Sequence, residues 1–115
     1  MDRTEKYKYH LRPGYNSDNQ LIEFISGVEN DTFLLDLLNA LEKINPKPID
    51  ARHIWMNDEI LLEIQSDVGN FTLSKDIWNI AFIMTEDNQQ AILRINSILQ
   101  TDIRFEKIEV DFSKY

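Results

Sequence analysis

The sequence predicts a single α+β domain, in which helices pack on one face of an antiparallel meander sheet. Three observations carry this. A chain of 115 residues with 43% apolar content is long enough to bury one core and too short for two. Apolar residues recur at helical spacing in three stretches. Between and around those stretches run short β-type segments divided by turn residues.

At the start of the chain, Tyr7, Tyr9 and Leu11 alternate with Lys6, Lys8 and His10, the period of a strand, and Pro13-Gly14 follows as a turn. Residues 1–15 therefore read as a basic N-terminal arm or an edge strand. From Asp18 to Val28, the residues Leu21, Ile22, Phe24, Ile25 and Val28 fit a helix, with Ser17 or Asp18 as N-cap and Gly27 near the end. A second helix spans Phe33, Leu34, Leu37, Leu38, Leu41 and Ile44 until Pro46 and Pro48 forbid its continuation. Together these two read as a helical hairpin or one bent helix covering the sheet.

From Ile49 to Thr85 the pattern becomes a meander, with strands at Ala51–Met56, Glu59–Gln65, Phe71–Lys75 and Ile77–Met84. Asn57-Asp58 and Asp67-Val68-Gly69-Asn70 are the turns. The nearly continuous apolar run Ile77–Met84 predicts a central strand covered on both sides; Trp55 and Trp78 are both candidate interface anchors, and for Trp78 inside this run core packing is the first reading. Thr85-Glu86-Asp87-Asn88 then caps a third helix with its stripe at Ala91, Ile92, Ile95, Ile98 and Leu99. Ile103, Phe105, Ile108, Val110 and Phe112 predict a last strand, with a phase slip at Glu106-Lys107.

Charge narrows the function. The formal net charge is -8, and it is uneven: residues 1–15 hold four basic and two acidic side chains, so the remainder carries eight basic against eighteen acidic. An acidic body repels phosphate, so no nucleic-acid partner is expected. The same field speeds encounter with a basic protein. With no cysteine, disulfides, thiolate nucleophiles and thiolate metal sites are excluded. No apolar run approaches the length of a membrane span, and MDRTEKYKYHLRPGY lacks the apolar core of a secretory signal. The expected location is the cytoplasm.

No catalytic set assembles in the sequence, and none of its motifs calls for a cofactor or a metal. His10 and His53 lie outside any triad or metal-binding spacing, and His53 reads first as a half-exposed strand residue. The carboxylate pairs Asp58-Glu59, Glu86-Asp87 and Glu109 with Asp111 read as solvated charge. Asn16–Gln20 lacks the central glycine and terminal glutamate of a calcium loop. Gly14, Gly27 and Gly69 fit no phosphate-binding motif. Trp55 differs: next to Asn57-Asp58-Glu59, it combines an aromatic anchor with acceptors suited to Lys or Arg of a partner.

In size, acidity and α+β element order, the chain resembles the small bacterial immunity proteins, which bind and neutralise a cognate toxin, often a basic nuclease. The resemblance implies a non-catalytic inhibitor that covers the toxin's active site or an adjacent surface. Under it the partner-binding residues are Trp55, Asp58, Glu59 and Asp67 at one edge of the meander, with Asp31 and Asp36 as a second acidic group. The alternatives are a secretion chaperone acting as a dimer on an effector, and a small enzyme or ligand-binding domain with a pocket between helices and sheet. A structural subunit that buries Phe33 to Ile44 at an oligomer interface is a further possibility.

Overall fold

A computed structural model describes residues 7–13, 19–54, 59–85 and 88–109. Their hydrogen bonds build one seven-stranded sheet in the order β3-β4-β5-β6-β2-β1-β7. Its strands are β1 (Tyr7–Pro13), β2 (Gln20–Ser26), β3 (Lys47–Ile54), β4 (Glu59–Gln65), β5 (Phe71–Asp76), β6 (Ala81–Met84) and β7 (Phe105–Lys107). Two helices, α1 (Phe33–Ala40) and α2 (Gln89–Leu99), complete the α+β layer arrangement. The radius of gyration is 13.7 Å, near the about 13 Å of one compact domain this long.

The sheet departs from the predicted antiparallel meander. β3 to β6 do form a meander, but β7 joins β1 in parallel, with Tyr7 opposite Phe105. The cause is the connection through α2, which crosses the sheet before the chain returns, and a return of that kind allows a parallel neighbour. β1 is accordingly paired on both sides rather than forming an edge.

Both helices cover the same face. Tyr7, Tyr9, Ile22, Phe24, Ile64, Phe71, Leu73, Ala81, Ile83 and Phe105 point into it from the strands and are buried. From α1, Phe33 meets Tyr7 and Phe24 edge-on, with ring centroids 5.5 and 5.1 Å apart. From α2, Ala91, Ile92, Ile95, Ile98 and Leu99 are buried, and Tyr9 donates its hydroxyl to the Asn96 carbonyl at 3.3 Å. The predicted α2 matches its apolar stripe. Its N-cap is Asn88, whose side chain accepts the Ala91 amide, as an N-cap should.

Three further sequence expectations are corrected. Residues 18–28 do not form a helix: Gln20–Ser26 is β2, hydrogen-bonded to β1 on one side and β6 on the other. Ile22 and Phe24 are buried while Glu23 points to the opposite face, the alternation of a strand. α1 stops at Ala40, and a 3-10 turn over Glu42–Ile44 leads to Asn45 in the left-handed region, φ 51°. Finally, Ile77–Met84 is not one central strand. The chain turns at Ile77–Ile80, and only Ala81–Met84 forms β6. Among the described residues no helix is long and apolar enough to cross a membrane.

Candidate functional site

The connection from β5 to β6 is a tight, self-braced tip. The Asp76 carboxylate accepts the backbone N–H of Trp78 at 2.9 Å and of Ile80 at 3.1 Å. The Asn79 N–H donates to the Asp76 carbonyl, the Asp76 N–H donates to the Ile80 carbonyl, and Asn79 sits at φ 61°. Asp and Asn are the residue types that brace a turn through their own side chains and tolerate positive φ. With the backbone fixed in this way, the side chains point out: Ile77 is 60%, Trp78 74% and Ile80 38% exposed. The expectation that Trp78 is a core residue is therefore reversed.

Single exposed apolar residues are ordinary, but a contiguous group marks an interaction surface. This group continues onto β2. Because Phe24 pairs with Ala81, Ile25 is the register neighbour of Ile80, and it too is exposed. Glu59, which opens β4, stands opposite Asp76 and accepts the hydroxyl of the buried Ser74. The turn leaving β2 carries the exposed Asp31 at the same end of the sheet. Glu59 and Ile25 are separated by three strand spacings, about 14 Å, so a carboxylate borders the apolar tip on its β4 side.

On the face opposite the helices, His10, Glu23, Phe82, Ser74, Leu61 and Arg52 form one registered row across six strands. Glu23 lies 2.7 Å from His10 Nε2 and accepts Arg12 Nε at 2.8 Å, and the Arg12 guanidinium lies 5.5 Å from the Phe82 ring centroid. Burial would raise the Glu23 carboxyl's affinity for a proton, but hydrogen bonds and charge from His10 and Arg12 outweigh it and hold the pKa below the usual range. At the β3 end of this face Asp50, Arg52, Leu61, Glu63 and Thr72 line an open depression of about 160 Å³. Thr72 donates its hydroxyl to Glu63 at 2.9 Å. His53 projects to the other side of β3, where it is exposed. The described residues hold no group of three or more potential metal ligands.

The residues singled out from sequence separate. Glu59 and Asp31 reach the Trp78 end. Asp67 lies in the turn beyond the other end of β4, a strand about 20 Å long from Glu59 to Gln65, and there it accepts the Asn45 side-chain amide at 2.7 Å. They do not share one meander edge, because the chain runs the length of β4 between them. Asp36 is inward: it accepts the Tyr7 hydroxyl at 2.5 Å and the Thr32 hydroxyl at 3.2 Å, with Arg104 Nη1 at 3.5 Å. Arg104 is held in turn by Asp102, at 2.9 and 2.7 Å, and by Asn39 at 2.9 Å. That hydrogen-bonded pairing keeps the Asp102 carboxyl below its ordinary pKa. Trp55 and Asp58 lie outside the described residues. Sequence reasoning weighed Trp78 as an anchor but placed it in a strand and so missed the tip, although Asp76 and Asn79 on either side of Ile77-Trp78 are turn residues in the right places.

No protein-family model, curated protein or solved structure matches the chain.

Proposed function

We propose that this chain is a non-catalytic binding protein of the immunity type, which docks on a basic protein toxin through the Trp78 end of the sheet and neutralises it. The observation that supports the reading is Trp78, 74% exposed on a tip whose backbone is fixed before any partner arrives. A tryptophan held this way loses little freedom on burial, and aromatic anchors of that kind dominate binding energy at interfaces. Ile77, Ile80 and Ile25 extend the apolar centre. Glu59 and Asp31 supply acidic flanks that pair with Lys or Arg at the rim, and the net charge of -8 steers a basic partner toward the surface. The reading needs no cofactor and no nucleic acid, and it places the protein in the cytoplasm.

The test is co-expression with the products of neighbouring reading frames, scored by relief of toxicity and by the affinity of the purified pair. Trp78→Ala should weaken binding by about thirtyfold or more, the loss typical of an anchor residue. Its thermal midpoint should stay unchanged, because the side chain contributes little to the core. Glu59→Lys should slow association, and raised salt should slow it for the unsubstituted chain. A basic partner bound with equal affinity by Trp78→Ala would overturn the assignment of the tip. Failure of every neighbouring product to bind would overturn the immunity reading.

A further inference from the structure

Among the described residues β3 is the one long edge of the sheet; the opposite edge, β7, has three described residues. All β3 side chains from Lys47 to His53 are exposed. An edge strand presents unpaired backbone N–H and C=O groups, and proteins block such rows with proline, bulges and charge. Here the backbone devices sit in the first half only. Pro48 has no N–H to offer, and Ile49 is the extra residue of a bulge between Pro48 and Asp50. From Asp50 to Ile54 the pairing with β4 is regular, so this half is a ladder that another strand can extend.

Its charges are poorly served among the described residues. Asp50 and Arg52 both point to the helix-free face and line the open depression there. On the inner side Asp50 stands opposite Glu63, a like charge, and Arg52 stands opposite Leu61. Among the described residues neither Asp50 nor Arg52 has an ion-pair partner. Like charges directly opposite in a sheet are unfavourable and opposite charges favourable. The position that would relieve Asp50 is on the outer side of β3, where no described strand pairs.

We propose that β3 is a self-pairing edge: a second copy of this chain adds its own β3 antiparallel about Ala51, so that Asp50 of each copy faces Arg52 of the other. With the two-fold axis normal to the sheet, this register sets two small methyl groups together at the centre and one ion pair on each side. Centring the pairing on Asp50 or on Arg52 instead brings like charges face to face, so charge selects the Ala51 register. The contact is isologous and closes as a dimer. It joins two sheets into one and keeps both helix layers on the same side. The two Trp78 ends then point in opposite directions, leaving each copy its own binding tip.

Sedimentation equilibrium over a concentration series tests this, with circular dichroism to confirm folding. The unsubstituted chain should reach twice the 13.6 kDa chain mass. Asp50→Arg and Arg52→Asp each create like-charge crossings and should weaken the dimer by about tenfold or more. The double variant Asp50→Arg/Arg52→Asp restores opposite charges and should recover the dimer, which excludes misfolding as the cause of the single losses. An equimolar mixture of the two single variants should form a heterodimer. A chain that remains at its monomer mass up to about 1 mM overturns the proposal. So does a dimer indifferent to both reversals, or one abolished by Trp78→Ala instead.

Discussion

Replacing Tyr7 by Phe should destabilise the fold by about 2 kcal/mol while leaving the apolar contacts of the ring in place. The ring is fully buried, stacked on Phe105 at 4.9 Å and edge-on to Phe33 at 5.5 Å, and Phe preserves both contacts. Only the hydroxyl is removed, and with it the 2.5 Å hydrogen bond to Asp36. A hydrogen bond to a charged acceptor contributes about 1.5–3 kcal/mol net. The lower half of that range applies because Asp36 keeps Thr32 and Arg104 nearby. For a domain of this size the melting entropy is about 0.24 kcal/mol/K, so the midpoint should fall by about 8 °C.

Urea denaturation at neutral pH measures the loss, and a double-mutant cycle with Asp36→Ala should return a coupling of about 1.5 kcal/mol. The alkaline limb supplies a second reading. Burial first, and then the hydrogen bond and charge of Asp36, push the Tyr7 hydroxyl above its ordinary pKa of 10.0. The folded state thus holds that proton more tightly than the unfolded state. Its stabilisation is complete below the unfolded value and is lost as pH rises through the folded one, so Tyr7→Phe should flatten this limb. A loss under about 0.5 kcal/mol with no coupling would refute the reasoning.

Two more outcomes follow from the packing. Gly69 has φ 105°, and a Cβ placed there falls 2.2 Å from Asn88 Nδ2; Asn88 both caps α2 and donates to the Val68 carbonyl at 2.8 Å. Gly69→Ala should therefore cost about 2–3 kcal/mol by thermal unfolding, and less in an Asn88→Ala background where the collision is gone. Glu23→Gln should cost about 1 kcal/mol at neutral pH by weakening the bonds from His10 and Arg12. Because the Glu23 carboxyl is depressed in the fold, its stabilisation is present above the unfolded carboxylate value and lost as pH falls through the folded one. The variant should show a shallower acid limb in a pH series of urea midpoints.

The sequence by itself determined the elements whose pattern admits one reading. α2 follows from a cap and an apolar stripe over Gln89–Leu99, and β4 from a short β-rich run between turn residues. The α+β class and the acidic character of the body belong here as well. Ambiguity lay where one pattern fits two periods. Leu21, Ile22, Phe24, Ile25 and Val28 satisfy helical spacing, yet Ile22 and Phe24 also alternate with Glu23. The strand prevails because β1 and β6 satisfy its backbone on both sides, and those partners are remote in sequence.

Only the tertiary structure decided what each apolar and charged residue faces. Trp78 looks like core within a run of apolar neighbours, and its exposure follows from the turn that Asp76 and Asn79 impose. Asp31 and Asp36 are equivalent acids in the sequence, but one lies in an exposed turn and the other against Tyr7 and Arg104. Glu59 and Asp67 are close in sequence and stand at opposite ends of a strand. The parallel seat of β7 beside β1 depends on where α2 crosses. Periodicity is a local property of the chain and reports which residues share a face. Strand neighbours and exposed ends are set by contacts between distant segments, and these form only when the whole core closes.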